Sequence, residues 1–218
     1  HECADPLLRA VMVATLFESV READFAPNAM ADVLLRLVRN ELDADSHAWL
    51  LDLAATCIGR YVDEPDVAPR RAQFTSVLLE QLKAGEGAGR RLPTFRWLAR
   101  NGNGDDVQRL CEAAVGGLDL PAGLQLGRED RFLALAHLLG SDKVAEAKKD
   151  ALCQQLVDQF RGEDVGRDLF LARAARGTEA TKAEYFALYL QPDQPPEQWS
   201  QDSLGNFHWR GQSKLTLP

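Results

Sequence analysis

Histidines, thiols and clustered carboxylates are the side chains that most often hold metals or move protons, and this sequence scatters them. The histidines stand far apart at His1, His47, His137 and His208. His1-Glu2 opens like the zinc-protease pattern HExxH. That pattern needs a second His four residues on, so that both imidazoles lie on one helix face. Position 5 is Asp5, which serves better as a helix cap before Pro6. No Ser or Cys stands at a recognisable catalytic spacing from a His, and His137 falls within an apolar helical run, where a packed or half-exposed residue is expected. Cys3, Cys57, Cys111 and Cys153 form no CxxC pair. Cys57 and Cys111 fall on apolar helical faces and read as buried thiols of a reducing, cytoplasmic compartment. No catalytic, cofactor-binding or metal-binding residue is assigned in this chain, and its substrate-binding residues stay open.

Other motifs read as local structure. Asn101-Gly102-Asn103-Gly104-Asp105-Asp106, with Glu112 at the twelfth position, mimics a calcium loop. Its first position is Asn101 rather than Asp, and Asp106 stands where glycine permits the sharp turn. A turn followed by Asp105 as a helix cap is expected instead. Gly85-x-Gly87-x-Gly89 has the look of a phosphate loop, but a helix precedes it where such loops follow a strand. Arg90, Arg91, Arg96 and Arg100 form a basic cluster, with Arg96 and Arg100 on one helix face. It reads as a solvated or ion-paired face, with a carboxylate contact site as the other reading. Trp199, Phe207 and Trp209 crowd the C-terminal segment as buried anchors or as a binding surface.

The elements that position these residues are helices. Leu and Ala number 63 against 21 for Ile, Val and Thr, which disfavours a sandwich or barrel. Asp5-Pro6 opens a helix with Leu8, Met12, Leu16 and Val20 on one stripe. Ala26-Pro27 opens the next, with Met30, Val33, Leu34, Leu37 and Val38 at helical spacing. A third carries Leu50, Leu53, Ala54, Cys57, Ile58 and Tyr61. A fourth starts near Pro69 and buries Phe74, Val77, Leu78 and Leu82 before Gly85. Helices are predicted over 91–100, 105–116 and 128–139. Asp142 is expected to cap a long one to Phe160, and two more run through about 166–176 and 181–190. A Pro-rich joint, Gln191 to Pro196, precedes the last segment. Helix starts recur roughly every 14–23 residues, so a pair makes a unit of ~40 residues, the size of HEAT-type repeats. The expected fold is all-α: a right-handed α-α superhelix, a HEAT- or armadillo-like solenoid of about ten helices, in one domain over 1–218. The Gly85–Gly89 stretch is the loosest joint.

Composition narrows the function. The 218 residues carry a net charge of -8, which repels phosphate backbones and anionic lipids, so no nucleic-acid partner is expected. No apolar run reaches the ~20 residues of a membrane span. The chain starts at His1 and stops within the apolar run Lys214-Leu-Thr-Leu-Pro, so both ends read as cut from a longer protein.

Asp5-Pro-Leu-Leu-Arg-Ala-Val and Ala26-Pro-Asn-Ala-Met-Ala-Asp-Val-Leu-Leu-Arg resemble the C-terminal helical domain of zinc aminopeptidases of the aminopeptidase N type. So do Gly127-Arg-Glu-Asp-Arg-Phe, Asp168-Leu-Phe-Leu-Ala-Arg-Ala-Ala-Arg-Gly with Lys182, Tyr185 and Phe186 after it, Pro196-Glu-Gln-Trp, and Asn206-Phe-His-Trp-Arg-Gly-Gln-Ser-Lys-Leu-Thr. The likeness covers nearly the whole chain. It implies a helical domain that encloses the substrate chamber and contacts peptide, while a separate zinc-bearing catalytic domain of the same parent chain removes N-terminal residues. The family's HExxH with its downstream Glu, and its GxMEN motif, are absent from this sequence, so no catalytic or zinc-binding residue carries over. Arg96 and Arg100 would be candidates for peptide contact, with their facing unread. An independent helical scaffold for protein–protein interaction, and a small enzyme with a hidden site, are the competing readings.

Overall fold

Local signals decide where the helices begin. Asp5 accepts hydrogen bonds from the backbone N–H groups of Leu7 (2.9 Å) and Leu8 (3.3 Å), which caps α1 (Pro6–Arg21). Pro27 starts α2 (Pro27–Asn40), a position where a helix has no N–H bond to lose. Asp43 caps α3 (Ala44–Arg60) through the Ser46 N–H at 2.8 Å. α4 (Glu64–Ala84) ends at Gly85, whose φ of 73° suits a left-handed C-cap. A single 3-10 turn, Ala88–Arg90, leads into α5 (Arg91–Asn101) and α6 (Asp105–Gly116). Then follow α7 (Arg128–Gly140), α8 (Glu146–Gln159), α9 (Gly166–Arg173), α10 (Glu179–Tyr189), α11 (Glu197–Phe207) and the short α12 (Ser213–Thr216). The computed structural model describes residues 5–85, 87–191 and 195–216. His1-Glu2, Cys3, Glu86, residues 192–194 of the Pro-rich joint and Leu217-Pro218 lie outside the described residues. Among the described residues there are twelve α-helices and no strand, so the all-α expectation holds.

The chain divides into two compact units. The first takes in the chain up to Val107 with Pro121–Leu124; the second takes in Gln108–Leu120 and the chain from Gln125. The Gly85–Gly89 joint lies inside the first. There, α2 packs on α1, α3 and α4, and α5 packs on α3 and α4. Met30, Leu34, Val38, Leu51, Ala54, Ile58, Phe74, Leu78, Phe95 and Leu98 are almost wholly buried, close to the stripes read from spacing. In the second unit α7 packs on α8 and α9, α11 on α9 and α10, and α10 also on α12. A Cβ on Gly140 would sit inside the Trp209 indole, so only glycine lets that ring lie on the end of α7.

Three expectations need correction. The buried stripe of α1 is Val13, Phe17 and Val20. Leu8 and Met12 are instead exposed, with Leu7 and Val11 beside them. The helix is apolar on more than one side, so periodicity alone does not choose the inner stripe. α4 starts at Glu64 rather than Pro69, because Pro65 suits the first turn and Pro69 forfeits a single backbone bond one turn later. α8 starts at Glu146 rather than after Asp142. Residues 141–145 form a turn that buries Val144 and bonds the Lys143 N–H to Ser141 Oγ at 3.3 Å.

Short helices end often, and each end leaves backbone carbonyls without an intrahelical donor. After α9 six carbonyls in succession find one. Phe170 O accepts from the Tyr185 hydroxyl (2.6 Å) and from Ala174 N (3.3 Å), and Leu171 O from Asn206 Nδ2 (2.8 Å). Ala172 O and Arg173 O accept from the N–H groups of Ala175 and Arg176 at 3.1 and 3.0 Å. Ala174 O takes Lys182 Nζ (2.7 Å), and Ala175 O takes Gln212 Nε2 (3.0 Å). Lys182 Nζ also donates to Phe207 O at 2.7 Å, closing α11. The side chain is buried, and burial lowers its ammonium pKa to about 8. Lys182→Met removes an unfavourably buried charge but strands two carbonyls, each worth about 1–3 kcal/mol when left unmet. The expected outcome is a net loss of about 2 kcal/mol or more in the stability of the second unit, measured by urea unfolding followed by circular dichroism. Unchanged stability would mean that other donors take over.

Candidate functional site

The structure separates the residues that looked chemical. Arg90 is buried and donates through Nη1 to Glu41 O at 2.7 Å. Arg91 is half-buried and donates to Gly85 O. Arg91 thus meets the end of α4, and Arg90 ties the 3-10 turn to the end of α2. Arg96 and Arg100 stay exposed on α5, and both engage neighbouring groups. Asp105 is the first helical residue of α6 rather than the cap before it, and Glu112 is tied to Lys148 at 2.7 Å and Gln108 at 3.0 Å. Residues 101–112 therefore run through a helix end, a turn and a new helix. Among the described residues no group of three His, Cys, Asp or Glu side chains could hold a metal ion.

Cys57, Cys111 and Cys153 are free and buried. Burial pushes their thiols up, to about 11 for Cys57 and about 12 for Cys111, so none supplies a thiolate near neutral pH. His137 is buried as expected, with Nδ1 3.2 Å from Arg210 Nη2 and its ring edge-on to Trp209. His47 is wholly buried, with Nε2 3.0 Å from Thr94 Oγ1. Burial, and then the charge of Arg90, lower its pKa to about 4 against a smaller opposing pull from Glu41. A histidine this deep and this weakly basic is a packing group, not a base for substrate.

A cavity of about 360 Å³ lies in the second unit, and reading the sequence did not find it. One wall is a stripe of α9 that includes Leu169, Phe170 and Arg173; the other is a stripe of α10 that includes Thr181, Glu184 and Tyr185. Trp199 of α11 lines it as well, so the half-buried member of the C-terminal aromatic group is a wall, while Phe207 and Trp209 are buried anchors. Phe170 stacks at a tilt on Tyr185, ring centroids 4.8 Å apart, and meets Trp199 at 5.8 Å. Arg176, also on the lining, is held by Glu146 at 2.6 Å and Asp150 at 2.7 Å. Burial pushes the Tyr185 phenol up, and its hydroxyl is committed to Phe170 O, so it does not serve as an acid. The pocket lining combines aromatic faces with charged groups of both signs. The spacing 181, 184, 185, 188 on α10 was a readable signal. That it faces α9 is a tertiary fact.

The fold defines an all-helical module, with this pocket in its second unit. No family model matches the chain. An aminopeptidase N of Streptomyces lividans is 25% identical along an alignment that covers 97% of this chain and 24% of that protein. The chain thus spans about a quarter of the relative's length. No helix among the described residues is long and apolar enough to cross a membrane.

The His47 environment makes a pH dependence. The unfolded chain binds a proton near pH 6.5 and the folded chain only near 4, so the unfolded state holds more protons in that window and stability rises with pH. The contribution is whole above about pH 6.5 and is lost as pH falls toward 4. It amounts to about 2–3 kcal/mol between pH 7 and pH 4.5. In urea unfolding at both pH values, His47→Gln should lose less stability than the wild type by about that amount. Equal losses would exclude His47 as the cause.

Proposed function

We propose that this chain is the non-catalytic C-terminal helical domain of a zinc aminopeptidase, arranged as a HEAT-like repeat. In this reading the domain encloses the substrate chamber and contacts the peptide, while a catalytic domain elsewhere in the parent protein holds the zinc and removes N-terminal residues. The observation that carries the reading is the alignment to the Streptomyces aminopeptidase N, which runs along 97% of this chain yet takes up 24% of the relative. A domain within a larger enzyme has that proportion.

Two features support it. Leu7, Leu8, Val11 and Met12 leave an apolar face of α1 exposed, at 73%, 50%, 53% and 59%. A contiguous surface of that kind is ordinarily covered in the assembled protein, and the catalytic domain of the same chain is the partner proposed for it. The groups with strongly shifted pKa values, His47, Lys182, Tyr185 and the thiols, are buried and spent on structure. That fits a domain whose chemistry is done elsewhere.

The test joins sequence and activity. The coding sequence around this chain should contain HExxH with a downstream Glu. The parent protein should release amino-terminal residues from peptides and lose that activity to a zinc chelator, while the purified 218-residue chain shows none. Flanking sequence without the zinc motif, or chelator-resistant peptidase activity in the isolated chain, would overturn the proposal.

A further inference from the structure

We propose that the pocket between α9 and α10 binds a free α-amino acid with a large apolar side chain, its carboxylate on Arg173, its ammonium on Glu184 and its side chain against Phe170, Tyr185 and Trp199. Three observations carry this, and none depends on the aminopeptidase reading.

The first is the state of the charges. Arg176 pairs with Glu146 and Asp150, while Arg173, whose charge also reaches Asp150, forms no ion pair among the described residues. The Arg173 guanidinium sits beside the Cys153 thiol, which burial keeps protonated and which therefore supplies no counter-charge. Glu184 likewise forms no ion pair among the described residues. Arg173 and Glu184 are exposed, and both act on the same Tyr185 phenol, in opposite senses. The two charges thus line one pocket. An α-amino acid carries a carboxylate and an ammonium on one carbon and can satisfy both. A planar guanidinium holds a carboxylate through paired N–H donors.

The second is the apolar wall. Phe170, Tyr185 and Trp199 form a connected ring cluster along the pocket. Aromatic faces of this kind take an apolar side chain while the polar rim fixes its orientation. The volume of about 360 Å³ lies at the small end of the ~300–1,000 Å³ range of ligand sites, which suits a single amino acid better than a folded partner.

The third is a hydroxyl with a proton to give. Thr178 Oγ1 donates to Thr181 Oγ1 at 2.9 Å, so that bond leaves the proton of the Thr181 hydroxyl, which lines the pocket, unused. It is a second donor for the carboxylate beside Arg173. Removing N-terminal residues from peptides would release this ligand class, which gives the site a use if the parent is an aminopeptidase, but the pocket's chemistry stands without that.

The test titrates the 218-residue chain with L-phenylalanine by calorimetry, beside 3-phenylpropionate, phenethylamine, glycine and N-acetyl-L-phenylalanine. L-phenylalanine should bind saturably, and each of the others at least about tenfold more weakly, because each lacks one of the recognised parts. Arg173→Gln should weaken L-phenylalanine and 3-phenylpropionate at least about tenfold, while Glu184→Gln weakens L-phenylalanine and phenethylamine but leaves 3-phenylpropionate unchanged. That cross-pattern is one a merely structural role would not give. Arg173→Lys, which keeps the charge, should retain binding between wild type and Arg173→Gln and guards against a folding defect. Absence of saturable L-phenylalanine binding, or affinities unmoved by both glutamine variants, would overturn the proposal. So would N-acetyl-L-phenylalanine binding as tightly as the free amino acid, which would assign the pocket to a peptide C-terminus.

Discussion

The constraint on which this structure depends is the supply of hydrogen-bond donors to helix C-terminal carbonyls. Every helix leaves its last turn of carbonyls unmet whatever its length, so a chain of short helices meets the problem repeatedly. Here the donors are long polar side chains reaching from one helix to the end of another. Gln81 caps Val38 O in the first unit (3.0 Å). In the second, Arg131 caps Ala114 O (2.8 Å) and Gln159 caps Val115 O (2.8 Å). Lys182 and Gln212 each serve two helix ends or turns at once. These contacts fix the angle and register between neighbours more sharply than apolar packing does, because an N–H donor is directional and a methyl group is not.

The arrangement also explains why cations lie buried without carboxylate partners. Lys182 and Arg90 are inside the fold, yet their recorded hydrogen bonds go to backbone carbonyls. A helix C-terminus carries partial negative charge, so a buried cation there is compensated without a full anion. For Lys182 the compensation is incomplete, since burial still draws its pKa down, and the 5.2 Å approach of its ammonium to the Phe207 ring adds a weaker attraction.

Much of the fold was legible because the signals are local. Asp5-Pro6 and Ala26-Pro27 mark helix starts through backbone chemistry that no tertiary contact can override cheaply. The stripes of α2, α3 and α4 were equally readable, since each has one apolar face. α1 shows the limit: Leu7, Leu8, Val11 and Met12 make a face as apolar as Val13, Phe17 and Val20, and only packing selects between them. Val144 shows another, because a buried residue in a turn delays a helix that Asp142 alone would have begun. The pocket was hidden for the same reason. Thr181, Glu184 and Tyr185 share a visible stripe, but that Arg173 of a different helix lines the same cavity is not a property of either segment.

The division between spent and unspent side chains separates structure from site in this protein. Buried polar groups attract notice as catalytic candidates, yet the recorded bonds of Lys182, Tyr185 and Gln212 close helix ends, and His47 meets a threonine hydroxyl at a depth no substrate reaches. Their shifted pKa values follow from burial and need no function to explain them. Exposed charges without an ion pair carry the opposite signal. Arg173 and Glu184 are exposed, near one aromatic cluster, and among the described residues neither is neutralised by an ion pair, while Arg176 three residues on takes two carboxylates. Solvation explains one such charge at no cost. Two of opposite sign on the lining of one aromatic pocket match the carboxylate and ammonium of the ligand proposed for it.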